Sequence, residues 1–175
     1  VEEMLIALGG VGRWEEARIA LFITAYKHHY PIRMRLGATR IANAKETVDS
    51  VAAAGYPVCL ITSERRSNAQ FILETLALSG AVRQTISRDD VVHFKPNPEP
   101  LLLASQLVGL PPEDCVYIGE SPYDIQAGLA AGAYVAAVAS GGYSQQSLID
   151  CEPDLFLNDI SELTALFHGA APVTR

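Results

Sequence analysis

The stretch Val116-Tyr-Ile-Gly-Glu-Ser-Pro-Tyr-Asp124-Ile-Gln-Ala-Gly-Leu-Ala-Ala-Gly-Ala-Tyr-Val135 decides how this chain is read. A short apolar run ends at Gly119. Two carboxylates follow, Glu120 and Asp124, with Ser-Pro-Tyr between them. A small-residue helix then leads into a second apolar run. In open α/β sheets, ligands bind beyond the carboxyl ends of the strands. This spacing puts both acids in that crevice. Hard oxygen ligands there suit Mg2+, which takes one or two carboxylates plus waters and substrate phosphates. Acids at a helix start are also stabilised by the helix dipole without any ligand. That plainer account fits Asp124 well. It fits Glu120 less well, because Glu120 follows directly on a buried strand and Gly119.

The pattern around this stretch alternates helix and strand. Helices are expected over residues 42–54, 67–78, 98–108, 125–131 and 161–167. Strands are expected over 57–62, 82–87, 115–119, 134–139 and 155–157. The run Pro57-Val-Cys-Leu-Ile-Thr62 is almost entirely apolar, as in a sheet covered on both faces. The fold class that follows is α/β with a doubly wound parallel sheet. Before about residue 40 the pattern is helical only, over 2–8 and 13–29. Trp14, Ala17, Leu21 and Ala25 recur at helical spacing in the second helix, and Pro31 is expected to end it. His28 and His29 near that end are read as favourable charge at a helix C-terminus rather than as metal ligands. Ser161 is expected near the cap of the last helix, and the tail from Gly169 is expected to fray.

Composition narrows the function. The chain has 175 residues, 49% hydrophobic and 19% charged, enough for one domain with a real core. Its formal net charge of −7 argues against a nucleic-acid partner, which requires a basic face. A phosphorylated metabolite stays open, because a bound metal reverses the local field. No apolar run approaches the ~20 residues of a membrane span, so no membrane partner is expected. Cys59, Cys115 and Cys151 are three widely spaced cysteines without a C-x-x-C pair. Cys59 and Cys115 lie in strand-like runs and are expected as buried reduced thiols, which fits a cytoplasmic location.

Two further places carry candidate chemistry. Thr62 and Ser63 lie at a strand-to-helix turn, where hydroxyls and backbone N–H groups attract anions. Serine and threonine are equally ordinary as helix caps. Lys95 lies in His93-Phe-Lys-Pro-Asn-Pro-Glu-Pro100, where three prolines in five residues stiffen the backbone around one cation. Lysine is a common point-charge phosphate binder. A surface lysine before a proline-capped helix is the competing account.

Taken together, hydroxyl, lysine and acid pair occur in an order that resembles the haloacid dehalogenase-like superfamily of hydrolases. The matching motifs are Leu60-Ile-Thr-Ser63, Phe94-Lys-Pro-Asn-Pro98 and Ile118-Gly-Glu-Ser-Pro-Tyr-Asp124, continued by residues 127–135 and by Ser140-Gly-Gly142. The nearest look is to the phosphoglycolate phosphatase-like branch, over about residues 35–167. The resemblance implies residues 1–35 as a remnant of a helical cap, 36–168 as the α/β core and 169–175 as a tail. It implies a Mg2+-dependent phosphatase acting on a small phosphorylated substrate. Thr62, Ser63 and Lys95 would bind the phosphoryl group, Thr62 and Lys95 with a catalytic part. Glu120 and Asp124 would hold the metal, directly or through water. Family members usually carry Asp where this chain has Glu120.

One motif has no match. The family's Asp-x-Asp-Gly-Thr, at the end of the first core strand, supplies the nucleophile. None of Asp49, Asp89, Asp90, Asp114, Asp124, Asp150, Asp154 and Asp159 stands in such a motif. The resemblance therefore implies a missing strand in the middle of the sheet, with two unpaired edges and no turnover by this chain alone. The opening valine and the mid-helix start favour the C-terminal portion of a longer phosphatase. A natural truncated phosphate-binding or interaction module is the alternative. A receiver-like or nucleotide-binding domain ranks last, because its lysine would come in the wrong order and no glycine-rich phosphate loop is present. Oligomeric state stays open.

Overall fold

The computed structural model describes residues 39–167 and, before them, residues 21, 23–25, 28–30, 32 and 37; of Leu166 only the backbone is described. The chain divides into two compact units, residues 1–38 and 39–175. In the first unit, the described residues are helical. His28–Tyr30 and Ile32 are helical on either side of Pro31, so helical structure is not confined to the residues before that proline. The helix expected over 2–8, Trp14 and Ala17 of the second expected helix, and the tail from Gly169 lie outside the described residues.

The second unit alternates helix and strand: α1 Ala44–Ala53, β1 Val58–Ile61, α2 Arg66–Thr75, β2 Val82–Ile86, α3 Glu99–Val108, β3 Val116–Gly119, α4 Pro122–Ala131, β4 Tyr134–Val138, α5 Gln145–Ile149, β5 Leu155–Leu157 and α6 Leu163–Phe167. All strand pairs are parallel. They fall into two sheets, β1-β2 and β3-β4-β5. The doubly wound parallel reading therefore holds, and so does the gap in the sheet.

β4 shows why these residues make a parallel core. Val135, Ala136 and Ala137 are fully buried and Val138 nearly so. Val135 and Ala137 point to one face and pack with Ile125 and Leu148. Ala136 and Val138 point to the other and pack with Leu157 and Leu163. A strand buried on both faces reads as a continuous apolar run, which is how it stands in the sequence. Gly109 and Gly132 end α3 and α4 in the left-handed region, at φ 76° and 79°, where a Cβ is costly.

Several boundaries differ from the sequence expectation. α2 ends at Thr75 rather than 78, because Ala77 turns left-handed at φ 55°. Asp159, not Ser161, caps the last helical segment: its carboxylate accepts the Ser161 N–H at 2.8 Å. The five-residue helix α5, capped by Ser144, was not expected; one Leu-Ile pair gives too little periodicity. Cys59 and Cys115 are half-buried rather than buried. The reason is physical: both line an apolar cavity between β1 and β3.

That cavity has a volume of about 280 Å3. Val58, Cys59 and Ile61 line it from β1, and Val116 and Ile118 from β3 and its start. Helices α1, α3 and α6 contribute Val51, Leu101 and Phe167. Cavities larger than a water molecule are few in protein interiors. This one lies where the two sheets would join.

Beyond β2 the chain is held by a compact polar knot. Ser87 caps the turn Arg88–Asp90, and Asp90 returns a bond to the Ser87 N–H at 2.8 Å. Arg66, at the start of α2, pairs with Asp90 and gives its backbone N–H to Asp89 at 3.0 Å. The knot ties the loop after β1 to the loop after β2. The Ser87 hydroxyl above all, opposed by burial and supported by Arg66 and the Ser87 N–H, holds the Asp90 carboxyl down at about 2. The folded value lies below the ordinary 3.8. Stability from this group is thus present above about pH 4 and is lost as pH falls towards 2. Asp90→Asn should destabilise the fold at neutral pH by about 1 kcal/mol. Urea unfolding from pH 7 to pH 2 should also show a shallower acid loss for the variant; parallel curves would contradict this role.

Candidate functional site at the carboxyl ends of the strands

β3 ends at Gly119, and the next turn sets the site. Ser121 Oγ accepts the Asp124 N–H at 3.2 Å, while Asp124 Oδ2 accepts the Ser121 N–H at 3.0 Å. This reciprocal cap starts α4. Ser121-Pro-Tyr-Asp124 is the sequence signature of such a cap, and Pro122 at the first helical position suits it. Asp124 is therefore one turn inside the helix, and its carboxylate folds back towards the end of β3.

Five donors converge on that carboxylate. Oδ2 accepts from the Glu120 N–H at 3.2 Å, the Ser121 N–H at 3.0 Å and Ser121 Oγ at 2.7 Å. Oδ1 accepts from Lys95 Nζ at 2.6 Å and the Tyr117 hydroxyl at 3.2 Å. The Lys95 and Asp124 side chains are 14% and 10% exposed. Burial by itself raises the Asp124 carboxyl, but the Lys95 charge and the bonds from Lys95, Ser121 and Glu120 outweigh it, and the net direction is down. Tyr117 is pushed up, first by burial and then by the Asp124 charge; its phenol stays protonated.

Glu120 has a different environment. The residue is exposed, and Ser140 Oγ donates to its Oε2 at 3.0 Å. Gly141 closes against it: a Cβ there would lie 2.9 Å from the Glu120 carboxylate. The turn after β4 thus holds the Glu120 head by one hydroxyl and a close backbone. Ser140-Gly-Gly142 is legible as a motif in the sequence, but its contact with Glu120 is not.

Lys95 reaches Asp124 from a pinned loop. Glu99 accepts the backbone N–H of Val92 and of His93, each at 2.9 Å, and lies 2.7 Å from His93 Nδ1. Asn97 Oδ1 accepts the Glu99 N–H at 3.0 Å. The Arg88 guanidinium stacks 4.7 Å from the centre of the Phe94 ring. Loop rigidity therefore comes from Glu99 and Asn97 as well as from the prolines.

Thr62 and Ser63 lie at the carboxyl end of β1. Thr62 N–H donates to Ile86 O at 2.9 Å, and Thr62 Oγ1 accepts the Glu64 N–H at 3.1 Å. The Thr62 hydroxyl keeps its proton for another acceptor. Hydrogen bonds join Lys95, Asp124, Tyr117 and the Glu120 backbone into one cluster. They do not join Thr62 and Ser63 to it; those two stand at the end of β1, in the other sheet. Among the described residues no group of three or more His, Cys, Asp or Glu side chains is placed to hold a metal ion. No described helix is long and apolar enough to cross a membrane.

A parallel α/β sheet with its polar cluster at the carboxyl ends of the strands defines the class to which this chain is similar. The model of the haloacid dehalogenase-like hydrolases matches residues 3–138, and the chain belongs to that family. Pyrophosphatase PpaX of Bacillus velezensis is 32% identical over 125 residues, 71% of this chain and 58% of that protein. The chain thus spans less than two thirds of the length of that curated relative. A haloacid dehalogenase-like hydrolase of Bacteroides fragilis superposes with a TM-score of 0.82 at 25% identity, over 93% of this chain and 76% of that one. A predicted phosphoglycolate phosphatase of Haemophilus somnus shares the fold, with a TM-score of 0.78 at 22% identity over 88% of this chain and 68% of that one.

Gly119 is a stringent position in this cluster. A Cβ there would lie 2.2 Å from the Asp124 Cβ. Gly119→Ala should cost about 3 kcal/mol and displace the Asp124 carboxylate. Gly142→Ala meets nothing within 4 Å and should leave stability unchanged within about 0.5 kcal/mol. Thermal and urea unfolding of the two variants checks the contrast.

Proposed function

We propose that this chain is the larger part of a Mg2+-dependent phosphoric monoester hydrolase acting on a small phosphorylated metabolite, and that it is inactive by itself. The observation that carries the reading is the Lys95–Asp124 pair beside an exposed Glu120, at the carboxyl edge of a sheet with a gap at its centre. Lys95 and the Thr62 hydroxyl would bind the transferring phosphoryl group, with the Ser63 backbone beside them. The nucleophilic aspartate would stand at the end of a strand filling the cavity between β1 and β3. Residues 1–35 would be a remnant of the helical cap.

The donor set suits Mg2+ on chemical grounds. Glu120 offers a hard, exposed carboxylate held from one side by Ser140. Asp124 has both oxygens engaged, so it would act through a metal-bound water or through Lys95. When bound, Mg2+ supplies the positive charge that lets an anionic nucleophile approach a phosphate. Positioning and electrostatics account for most of the catalysis in phosphoryl transfer. The name of the pyrophosphatase relative denotes hydrolysis of a small phosphate anhydride, which supports phosphoryl transfer from a small phosphate compound.

The apolar cavity also favours a second reading, a non-catalytic module that accepts a strand from a partner. One experiment separates the two. The chain alone, with Mg2+ and an aryl phosphate, should turn over no faster than its Lys95→Ala variant. A longer polypeptide carrying the naturally encoded upstream segment should show Mg2+-dependent turnover. That turnover should fall at least about 100-fold in Lys95→Ala or Glu120→Ala. An upstream segment without an aspartate at a strand end would sink the phosphatase reading and leave the module.

A further inference from the structure

Tyr117 belongs to none of the sequence motifs, yet its hydroxyl lies inside the polar cluster. It sits on β3 two residues before Gly119, and its ring passes close over α4. A Cβ on Gly128 would lie 3.0 Å from Tyr117 Cδ1, so the glycine leaves room for the ring. The phenol oxygen lies 3.3 Å from Lys95 Nζ and 3.2 Å from Asp124 Oδ1, while Lys95 and Asp124 are 2.6 Å apart. The hydrogen bonds close on themselves: the ammonium donates to the phenol oxygen, the phenol donates to the carboxylate, and the ammonium donates to the same carboxylate.

We propose that Tyr117 is a positioning residue, which fixes the Lys95 ammonium so that one N–H remains for an anion bound at the strand ends. This rests on the reading of Lys95 as a phosphoryl-binding group. An ammonium carries three donors and no acceptor. A single carboxylate contact is a point-charge interaction and leaves the head free to rotate about it. A second acceptor, held on a strand, removes that freedom and commits two of the three donors. The third is then presented in one direction, as a preorganised phosphate contact requires. A merely structural tyrosine would need only some partner for its hydroxyl. Here the partners are the two charged groups of the candidate site.

Tyr117→Phe keeps the ring over Gly128 and removes only the hydroxyl. The chain contains three lysines, Lys27, Lys45 and Lys95, so the Lys95 ammonium signal in a low-temperature 1H–15N spectrum is assigned by its loss in Lys95→Ala. In Tyr117→Phe its proton exchange should quicken at least about fivefold, the equivalent of one hydrogen bond. The signal of Lys45, paired with Asp49, should not move. Affinity for inorganic phosphate in the presence of Mg2+ should weaken by a similar factor. Unchanged Lys95 exchange in a folded Tyr117→Phe chain overturns the proposal. If that variant does not fold, the unaltered chain decides. A nuclear Overhauser contact between the Lys95 ammonium and the Tyr117 ring is required, and its absence overturns the proposal equally. Failure of the phosphoryl-binding reading shows elsewhere, as phosphate affinity that Lys95→Ala does not change.

Discussion

Lys95 and Asp124 meet with their charged heads largely withdrawn from water, and three parts of the chain depend on that contact. It joins the loop before α3, the end of β3 and the first turn of α4. Taking two charges out of water costs several kcal/mol per ion. The cost is offset only by good geometry and by partners for the remaining lone pairs, and Asp124 has both. The consequence is a division of labour between two acids that look alike in sequence. Asp124 is committed to its five donors and to the helix it starts. Glu120, four residues earlier, keeps its carboxylate exposed and is steadied by the Ser140 hydroxyl and the close Gly141 backbone.

The second constraint is the gap between β1 and β3. A parallel strand has pairing groups on both edges, and an unpaired edge is a template for another strand. Here β1 and β3 each have one neighbour in their own sheet, β2 and β4. The space between them is lined by apolar side chains from both strands and from helices α1, α3 and α6. Helices that bridge a gap of this kind are held by their contacts with the sheets on either side. α3 packs on β1 and β2 of one sheet and meets the other through α4, which packs on β3 and β4.

Much of this was legible in the sequence, and for identifiable reasons. Strands such as Tyr134–Val138 are buried on both faces, so they stand out as apolar runs. Glycines at 109 and 132 mark helix ends because the left-handed backbone selects them. The order of Thr62, Lys95, Glu120 and Asp124 is a property of the chain and was visible as such. Contacts made across the fold were not. That Asp124 is saturated depends on Tyr117 and Lys95, which lie seven and twenty-nine residues away. Ser140 reaches Glu120 across twenty residues, and nothing in Ser-Gly-Gly announces it. The reciprocal cap of Ser121 and Asp124 is local and could have been read from its spacing. At this acid pair, helix capping by Asp124 coincides with the candidate chemistry. Cys59 and Cys115 stand in apolar strands that would be buried with a neighbour on each side; the cavity between β1 and β3 leaves them half-buried.

The charges of the cluster also bear on how a phosphate could be received. Asp124 neutralises Lys95 at close range, so the ammonium does not stand as a free cation. Glu120 adds a further negative charge at the same edge of the sheet. The cluster as a whole is therefore negative, and a phosphate dianion approaching it meets repulsion before it meets an available lysine N–H. On the proposed function, a second carboxylate arriving on the absent strand would deepen that repulsion. Cationic charge at Glu120 is then a precondition for anion binding rather than an accessory to it. The single directed N–H left by Tyr117 and Asp124 gains most of its value once the surrounding field has been reversed. On the proposed function, affinity for phosphate and affinity for the metal would in this way be one linked quantity, and neither would be a property of Lys95 or Glu120 alone.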